Sequence, residues 1–194
     1  MALVVGLGNP GAEYTGTRHN VGWWVVERLA RRWQAVAGAA RPGYRSWEAR
    51  VRDARVTLLE PRTWMNHSGA AVAGWRNEFG LELSELLVIA DDVYLPAGHL
   101  RLRASGSSGG HRGLESIERS LETRNFARLR IGVGAVASAM LREHVLETPQ
   151  GEELEAIERG ADAAADAVDC WLAEGVIVAM NRINRKVSKE VSEP

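Results

Sequence analysis

The sequence has little of several residue types and patterns, and each shortage excludes a class of protein. It contains one cysteine, Cys170, among 194 residues, so a disulfide framework and a metal site built from several cysteines are both excluded. No apolar run approaches the ~20 residues of a membrane-spanning helix, so we expect no membrane partner. The N-terminal segment lacks a basic region followed by a long apolar stretch, so we expect no secretory signal and a cytoplasmic protein.

Lysine is also scarce, and arginine carries most of the basic charge. The formal net charge is −1, from 24 basic and 25 acidic residues, but the charges are unevenly distributed. Residues 101–130 hold seven arginines against three glutamates, whereas residues 141–174 hold ten acidic residues against two arginines. This division favours a basic face that binds a polyanion and an acidic face toward water, although charges that are merely solvated would give the same pattern.

Short apolar runs alternate with amphipathic segments, which is typical of an α/β protein. The predicted strands cover residues 2–7, 47–52, 55–60, 85–90, 100–103 and 126–132. The predicted helices cover residues 21–33, 70–79, 114–121 and 151–175, the last continuing toward residue 186. Asn20 is expected to cap the first helix. The hairpin formed by the second and third strands breaks a purely parallel order, so we expect a single globular α/β domain over residues 1–186, with a twisted mixed sheet surrounded by helices and a frayed tail over 187–194.

Candidate site residues, most of them polar, follow three of the predicted strands, at the points where the strands end. They are Asn9, Tyr14 and His19 after the first strand, Trp64, Met65, Asn66 and His67 after the hairpin, and Asp91 after the next strand. Because sites in open α/β sheets form outside the carboxyl ends of strands, we expect these side chains to converge. An imidazole held by a carboxylate can take a proton from water, and amide N–H groups can stabilise an oxyanion, so the set indicates hydrolysis.

Other kinds of site receive less support. The five histidines show no metal-binding spacing such as HExxH, and no GxSxG elbow occurs, so we expect neither a metal nor a serine nucleophile. Gly6–Gly11 matches GxGxxG literally, but the polar residues 12–19 separate it from the next helix, and a dinucleotide site needs the helix to open at the glycines. The expectation is therefore an enzyme without a cofactor.

A glycine-rich loop, residues 106–111, precedes a predicted helix and lies between two strands that carry arginines. Backbone amides in such a loop, together with a helix N-terminus, bind anions. Side chains repeat every two residues along a strand, so Arg101 and Arg103 share one face, and Arg128 and Arg130 share another. The sequence therefore predicts a strip that binds phosphates.

Several segments together resemble the bacterial peptidyl-tRNA hydrolase family in their order and spacing. They are GLGNPGAEYTGTRHNVG (6–22), EPRTWMNHSGAAV (60–72), IADDVYLPAG (89–98), SGSSGGHRGLESI (105–117), FARLRIGVG (126–134) and the C-terminal WLAEGVIVAMNRI (171–183). The resemblance covers about residues 2–185. It implies a monomeric, cytoplasmic α/β enzyme that hydrolyses the ester between a peptide and the 3′-terminal ribose of tRNA, without metal or cofactor.

The resemblance also implies roles for individual residues. His19 would be the general base for water, Asp91 would support it, Asn66 would hold the substrate carbonyl and the developing oxyanion, and Asn9 would bind the peptide backbone near the ester. The residues that the resemblance locates around the peptide or on the tRNA are Tyr14, Trp64, Met65, Arg101, Gly110, His111, Arg112 and Arg130.

The sequence departs from the family's pattern at a few positions. Arg112 follows His111 where the family usually has asparagine, and Tyr94 stands where the family has aspartate. The segment after Gly134 lacks the family's usual proline and polar loop, so we expect the lid over the cleft, around residues 135–145, to differ from that of the family. Arg112 leaves an alternative open, namely a noncatalytic relative that binds RNA through the same cleft. Turnover of an N-acyl-aminoacyl-tRNA distinguishes the two.

Overall fold

A seven-stranded mixed sheet forms the centre of the protein in the computed structural model, which describes residues 1–136 and 140–190, with side chains up to Arg185. The strands are β1 (Ala2–Gly6), β2 (Val36–Ala37), β3 (Tyr44–Val51), β4 (Ala54–Pro61), β5 (Leu86–Asp92), β6 (Leu100–Arg103) and β7 (Ala127–Gly132). Their order across the sheet is β2-β3-β4-β1-β5-β7-β6.

The four inner strands β4, β1, β5 and β7 run parallel. On the two sides, β3 pairs antiparallel with β4 and β6 pairs antiparallel with β7, while β2 pairs antiparallel with β3. All residues of β1, β5 and β7 are buried, as expected for parallel strands that are covered on both faces. The carboxyl ends of the parallel strands therefore meet at one edge of the sheet. The predicted mixed sheet and its hairpin are confirmed.

Helices cover both faces of the sheet. They are α1 (Val21–Arg32), α2 (Ser68–Phe79), α3 (Arg112–Leu121), α4 (Leu141–Leu146) and α5 (Gly151–Glu190). Alternation along β1 divides the core, because Val4 packs on the side of α1 and α5, whereas Leu3 and Val5 pack on the side of α2 and α3. None of the helices in residues 1–136 and 140–190 is long and apolar enough to cross a membrane.

Ion pairs dock the acidic half of α5 onto α1. Arg28 Nε lies 2.7 Å from Asp162, and Arg32 binds both Asp166 and Asp169, at 2.8 and 2.7 Å. Part of the acidic surface that the sequence predicts to face water therefore faces arginines instead. These carboxylates recur every three to four residues, so they share one side of the helix.

The second half of α5 closes the edge of the sheet. The helix changes direction at Gly175, whose φ of 80° is a left-handed conformation that favours glycine. Beyond this kink, Asn184 accepts a hydrogen bond from the backbone N–H of Leu102 at 3.1 Å and donates one to its carbonyl at 3.0 Å. A side-chain amide thus pairs with the outer edge of β6 as a further strand would.

Three local expectations differ from the structure. Residues 35–46, where the sequence predicts neither strand nor helix and therefore a loop, contain β2 and the start of β3, because the hairpin pairing extends back to Tyr44 opposite Pro61 and β2 pairs with β3. No helix is predicted at α4, which has only six residues. The expected tail 187–194 begins inside α5, which runs to Glu190, and residues 191–194 lie outside the described residues.

Glu60, near the end of β4, is a carboxyl group buried within the fold. It is fully buried, and neither of its oxygens has a hydrogen-bond partner among the residues that the structure describes. The guanidinium of Arg62 lies 3.9 Å away. Burial and, to a lesser extent, the charge of Glu27 raise the pKa of Glu60 to about 7, against the opposing effect of Arg45 and Arg62.

This raised pKa predicts that, at high pH, the Glu60→Gln variant is more stable than the parent protein. The folded state holds a proton that the unfolded chain releases near pH 4.5, so the free energy of unfolding falls as pH rises toward 7. The loss totals about 3 kcal/mol from the pKa difference. At pH 8 we expect Glu60→Gln to melt roughly 5–10 °C above the parent protein, with little difference at pH 5, in thermal denaturation followed by circular dichroism. Glu48→Gln, at an exposed position of β3, is the control, and a lower melting temperature for Glu60→Gln at pH 8 would contradict the prediction.

Candidate active site

A cleft of about 430 Å³ opens at the carboxyl edge of the parallel strands. Every residue to which the sequence gives a catalytic or binding role lines it except Arg101, which lies on β6. His67, which the sequence also predicts to converge here, is not part of the lining. The loops after β1, β4 and β5 supply the polar side chains, as the rule for open α/β sheets predicts. The structure therefore brings the predicted hydrolytic residues together.

The centre of the cleft is a carboxylate oxygen shared by two imidazoles. Asp91 Oδ1 lies 2.7 Å from Nδ1 of His19 and 2.9 Å from Nε2 of His111. The other ring nitrogen of His111, Nδ1, accepts hydrogen bonds from the backbone N–H groups of Gly113 and Leu114, at 3.1 and 3.3 Å. Because that nitrogen is an acceptor, the ring proton of His111 lies on Nε2 and is donated to Asp91.

The same reasoning gives the tautomer of His19. Asp91 is an acceptor, so Nδ1 of His19 carries the proton, and Nε2 keeps its lone pair. Nε2 of His19 has no hydrogen-bond partner in residues 1–136 or 140–185. Burial by itself would raise the pKa of Asp91, but the two imidazoles lower it well below its ordinary value, so Asp91 stays ionised. The arrangement can take a proton from water in the cleft.

His111 therefore has a different position from the one expected of a substrate contact. Its side chain is largely buried, and it joins Asp91 to the N-terminus of α3, where it serves as the cap residue. Sequence reasoning assigned His111 only to substrate binding, because neither the cap nor the shared carboxylate follows from its neighbours in the chain.

Asn9 is held in place by the side-chain amide of Asn20, which the sequence predicts to cap α1. Met65 N–H donates to Asn9 Oδ1 at 2.9 Å, which leaves the Asn9 Nδ2 group as a donor. Asn20 is fully buried and bonds both the N–H and the carbonyl of Asn9, at 2.9 and 3.0 Å. The prediction that Asn20 caps α1 is wrong in this respect, because its side chain makes no capping hydrogen bond.

The segment after β4 lines another wall of the cleft. Met65 is buried against α3, where a Cβ added to Gly113 would lie 2.5 Å from the Met65 sulfur. Asn66 is exposed, and its Nδ2 lies 3.3 Å from Nε2 of the adjacent His67. Trp64 is also exposed and meets Tyr14 edge to face, with the ring centroids 5.9 Å apart.

The glycine-rich loop is held from below by Arg130. The Arg130 side chain is largely buried and donates to Asp92 at 3.2 Å and to the carbonyls of Ser107 and Ser108 at 3.0 and 2.8 Å. These three acceptors hold the guanidinium in place, and a direct contact between Arg130 and a phosphate stays a prediction. Gly110 follows in the same loop with a φ of 83°, and its backbone N–H has no acceptor among the described residues.

The predicted arginine strip is only half present. Arg128 is buried, and its guanidinium lies 2.9 Å from the carboxylate of Glu118, because β7 is an inner strand covered on both faces. Arg101 and Arg103 lie on the edge strand β6, where they are exposed and have no ion-pair partner among the described residues. Arg112, at the start of α3, is also exposed at the cleft.

Helix α4 supplies a wall that sequence reasoning missed. Leu141, Val145 and Leu146 line the cleft beside His19. The sequence carries no periodic signal for a helix this short. Within the lid segment 135–145, residues 137–139 lie outside the described residues.

The three central groups also have the composition of a metal site. The ligand atoms of His19, Asp91 and His111 all lie within 4.8 Å of one another. A metal ion bound to His111 would have to replace the hydrogen bond between its Nε2 and Asp91, because the other nitrogen of His111 already accepts two backbone N–H groups. A reaction without metal stays a prediction.

Comparisons with known proteins agree with one another. The chain matches the model of the family described as peptidyl-tRNA hydrolase over residues 3–191. It is 43% identical over 184 residues to a peptidyl-tRNA hydrolase of Syntrophomonas wolfei, covering 95% of this chain and 100% of the relative, and 44% identical over 186 residues to one of a Synechococcus strain, covering 95% and 83%. The crystal structure of peptidyl-tRNA hydrolase from Acinetobacter baumannii has a TM-score of 0.89 and 34% identity, covering 95% of this chain and 94% of that one.

The hydrogen bonds at Asp91 predict the tautomers of both histidines. In long-range ¹H–¹⁵N correlation spectra at neutral pH, we expect His111 to carry its proton on Nε2 and the neutral ring of His19 to carry its proton on Nδ1. Asp91→Ala should remove the preference at His19, whereas the two backbone donors should keep it at His111. A proton on Nε2 of neutral His19 in the unmodified protein would contradict the geometry.

Proposed function

The chain belongs to the peptidyl-tRNA hydrolase family, and from this membership we propose that it hydrolyses the ester between a peptidyl group and the 3′-terminal ribose of tRNA. The observation that carries the proposal is the hydrogen bond between His19 and Asp91, which leaves Nε2 of His19 free at the cleft. A catalytic base with this orientation needs only a water molecule within hydrogen-bond distance and a carbonyl group that the water can attack.

The proposed reaction begins with proton transfer. Nε2 of His19 takes a proton from water as the water oxygen attacks the ester carbonyl carbon. The imidazolium that forms is stabilised by the ionised Asp91 at 2.7 Å. When the tetrahedral intermediate collapses, the bond to the ribose 3′ oxygen breaks and that oxygen takes the proton from His19. The products are tRNA with its ribose hydroxyl restored and a peptide carboxylic acid, which releases its proton to water and becomes a carboxylate.

Two side-chain amides support the carbonyl groups of the substrate. Asn9 is held so that its Nδ2 donates, and it suits a carbonyl of the peptide backbone beside the ester. Asn66 is exposed and bonds only its neighbour His67, so it can turn toward the oxyanion without breaking a buried hydrogen bond. Contacts with backbone carbonyls are common to all peptides, so this mode of binding is indifferent to the peptide sequence.

The tRNA would bind through phosphate contacts outside the catalytic centre. Arg101 and Arg103 on β6 and Arg112 at the cleft are exposed cations, and the free N–H of Gly110 adds an anion donor. Arg130 would also act indirectly, by holding the loop that carries Gly110. Tyr14, Trp64 and Met65 would line the path of the peptide and the terminal nucleotide.

We also infer that the enzyme works in the cytoplasm, where translation makes its substrate.

The noncatalytic alternative has no specific observation in its favour. Arg112, the residue that suggests this alternative, is exposed, and it lies in a cleft that contains both the proposed base His19 and its carboxylate partner Asp91.

A monomeric state stays a prediction.

His19→Ala should remove the base while leaving the tRNA contacts in place. We expect kcat for release of the amino acid from N-acetyl-aminoacyl-tRNA to fall by at least about 10²-fold, the contribution of a positioned base. The affinity for deacylated tRNA, measured by filter binding, should stay within about twofold. A loss of tRNA affinity with kcat retained would contradict the role of His19.

The salt dependence of tRNA binding tests the arginines of β6. Arg101→Ala and Arg103→Ala should each lower the slope of log K against log salt by about one, because each removes one phosphate contact. Arg50→Ala is the matched control, since Arg50 is exposed on β3 toward the opposite end of the sheet. An unchanged slope in both variants would remove β6 from the proposed interface.

A further inference from the structure

Arg18, the residue before His19, joins the catalytic turn to two distant segments. Its Nε and Nη2 donate to the two carboxylate oxygens of Glu153 at 2.9 and 2.6 Å. Its Nη1 donates to the carbonyls of His144 and Glu147 at 3.0 and 3.1 Å, and its backbone N–H donates to Glu147 at 3.2 Å. Every nitrogen of the guanidinium is used, and the side chain is 8% exposed.

The segment that Arg18 holds is α4. None of the six residues of this helix is fully buried, so no buried side chain fixes the position of α4. An isolated helix of only one or two turns is unstable in water. The hydrogen bonds of Arg18 at its C-terminal end, together with the bond between His144 Nε2 and the Val133 carbonyl at 3.0 Å, tie α4 to the rest of the protein.

The position of α4 matters because the helix forms part of the cleft. Leu141, Val145 and Leu146 present apolar side chains beside His19. Arg142 of the same helix also lines the cleft, but the three apolar side chains give the wall a surface that suits the carbon atoms of the peptidyl group. The wall and the base are thus anchored to each other through one side chain.

We propose that Arg18 is a positioning residue for the reaction. By binding Glu153 and the carbonyls at the end of α4, it fixes the apolar wall of the cleft relative to His19, and so holds the peptidyl group within reach of the base. The inference rests on the proposed function for the identity of the substrate, but the clamp itself is a property of the free protein.

The chemistry of the clamp requires arginine. The planar guanidinium binds both oxygens of Glu153 and two carbonyls at once, whereas a lysine ammonium is a point charge on a flexible stem. The hydrogen bond from Arg18 lowers the pKa of Glu153, against the effect of burial, so the carboxylate is ionised at neutral pH. Glu153 also lies in the first turn of α5, where a negative charge is favourable.

Arg18→Lys and Glu153→Gln test the proposal, with Glu152→Gln as the matched control. Glu152 is exposed, stands in the same turn of α5 and makes no ion pair among the described residues. For both clamp variants we expect KM for N-acetyl-phenylalanyl-tRNA to rise about tenfold, with kcat and the affinity for deacylated tRNA within about twofold, because the loss of bidentate geometry loosens only the wall. The double variant should be no worse than Arg18→Lys, since both changes break one interaction.

Hydrogen exchange of the free protein separates the clamp from the activity. Backbone amides of residues 141–147 should exchange faster in Arg18→Lys and Glu153→Gln than in the parent, and at the parental rate in Glu152→Gln. Unchanged exchange would overturn the clamp, and faster exchange with an unchanged KM would overturn its positioning role. A lower melting temperature with normal KM would also overturn it. If the parent protein releases no peptide, the proposed function fails, and the exchange result still decides the clamp.

Discussion

One buried oxygen, Oδ1 of Asp91, organises the candidate active site by accepting hydrogen bonds from two histidine rings. An ionised carboxylate inside a protein is stable only when donors replace its water. His19 and His111 supply them, and each ring is thereby restricted to one tautomer. His111 extends the connection to α3 through two backbone N–H groups. Solvation of the buried charge and orientation of the proposed base are therefore the same set of contacts.

The sequence predicts the convergence at this site because the reasoning is topological. Residues that end parallel strands meet at one edge, so Asn9, His19 and Asp91 can be brought together without knowledge of any contact. The arginines show where such reasoning stops. The alternation of side chains predicts that Arg128 and Arg130 lie on the same face of their strand. Their burial, however, depends on the pairing of β6 with the edge of β7 and on acidic partners from other segments.

Residues that act through a partner distant in the chain leave little pattern. Arg18 and Glu153 are 135 positions apart, and Asn20 bonds the backbone of Asn9 from within a turn that also opens a helix. An asparagine at a helix start predicts a cap by local statistics, and only the packed structure shows that the amide is used elsewhere. The short α4 is invisible for a related reason, because its position comes from hydrogen bonds and not from a buried stripe.

The pairing of Asn184 with Leu102 bears on how the sheet ends. An outer strand normally presents free N–H and C=O groups that can template the strand of another molecule. Here one amide fills the middle of β6, while Arg101 and Arg103 flank it on either side. Strand-to-strand aggregation at this margin would have to displace the end of α5. Arg101 and Arg103 can therefore stay exposed for contact with a nucleic acid, while the backbone N–H and C=O groups of Leu102 between them are not available to another strand.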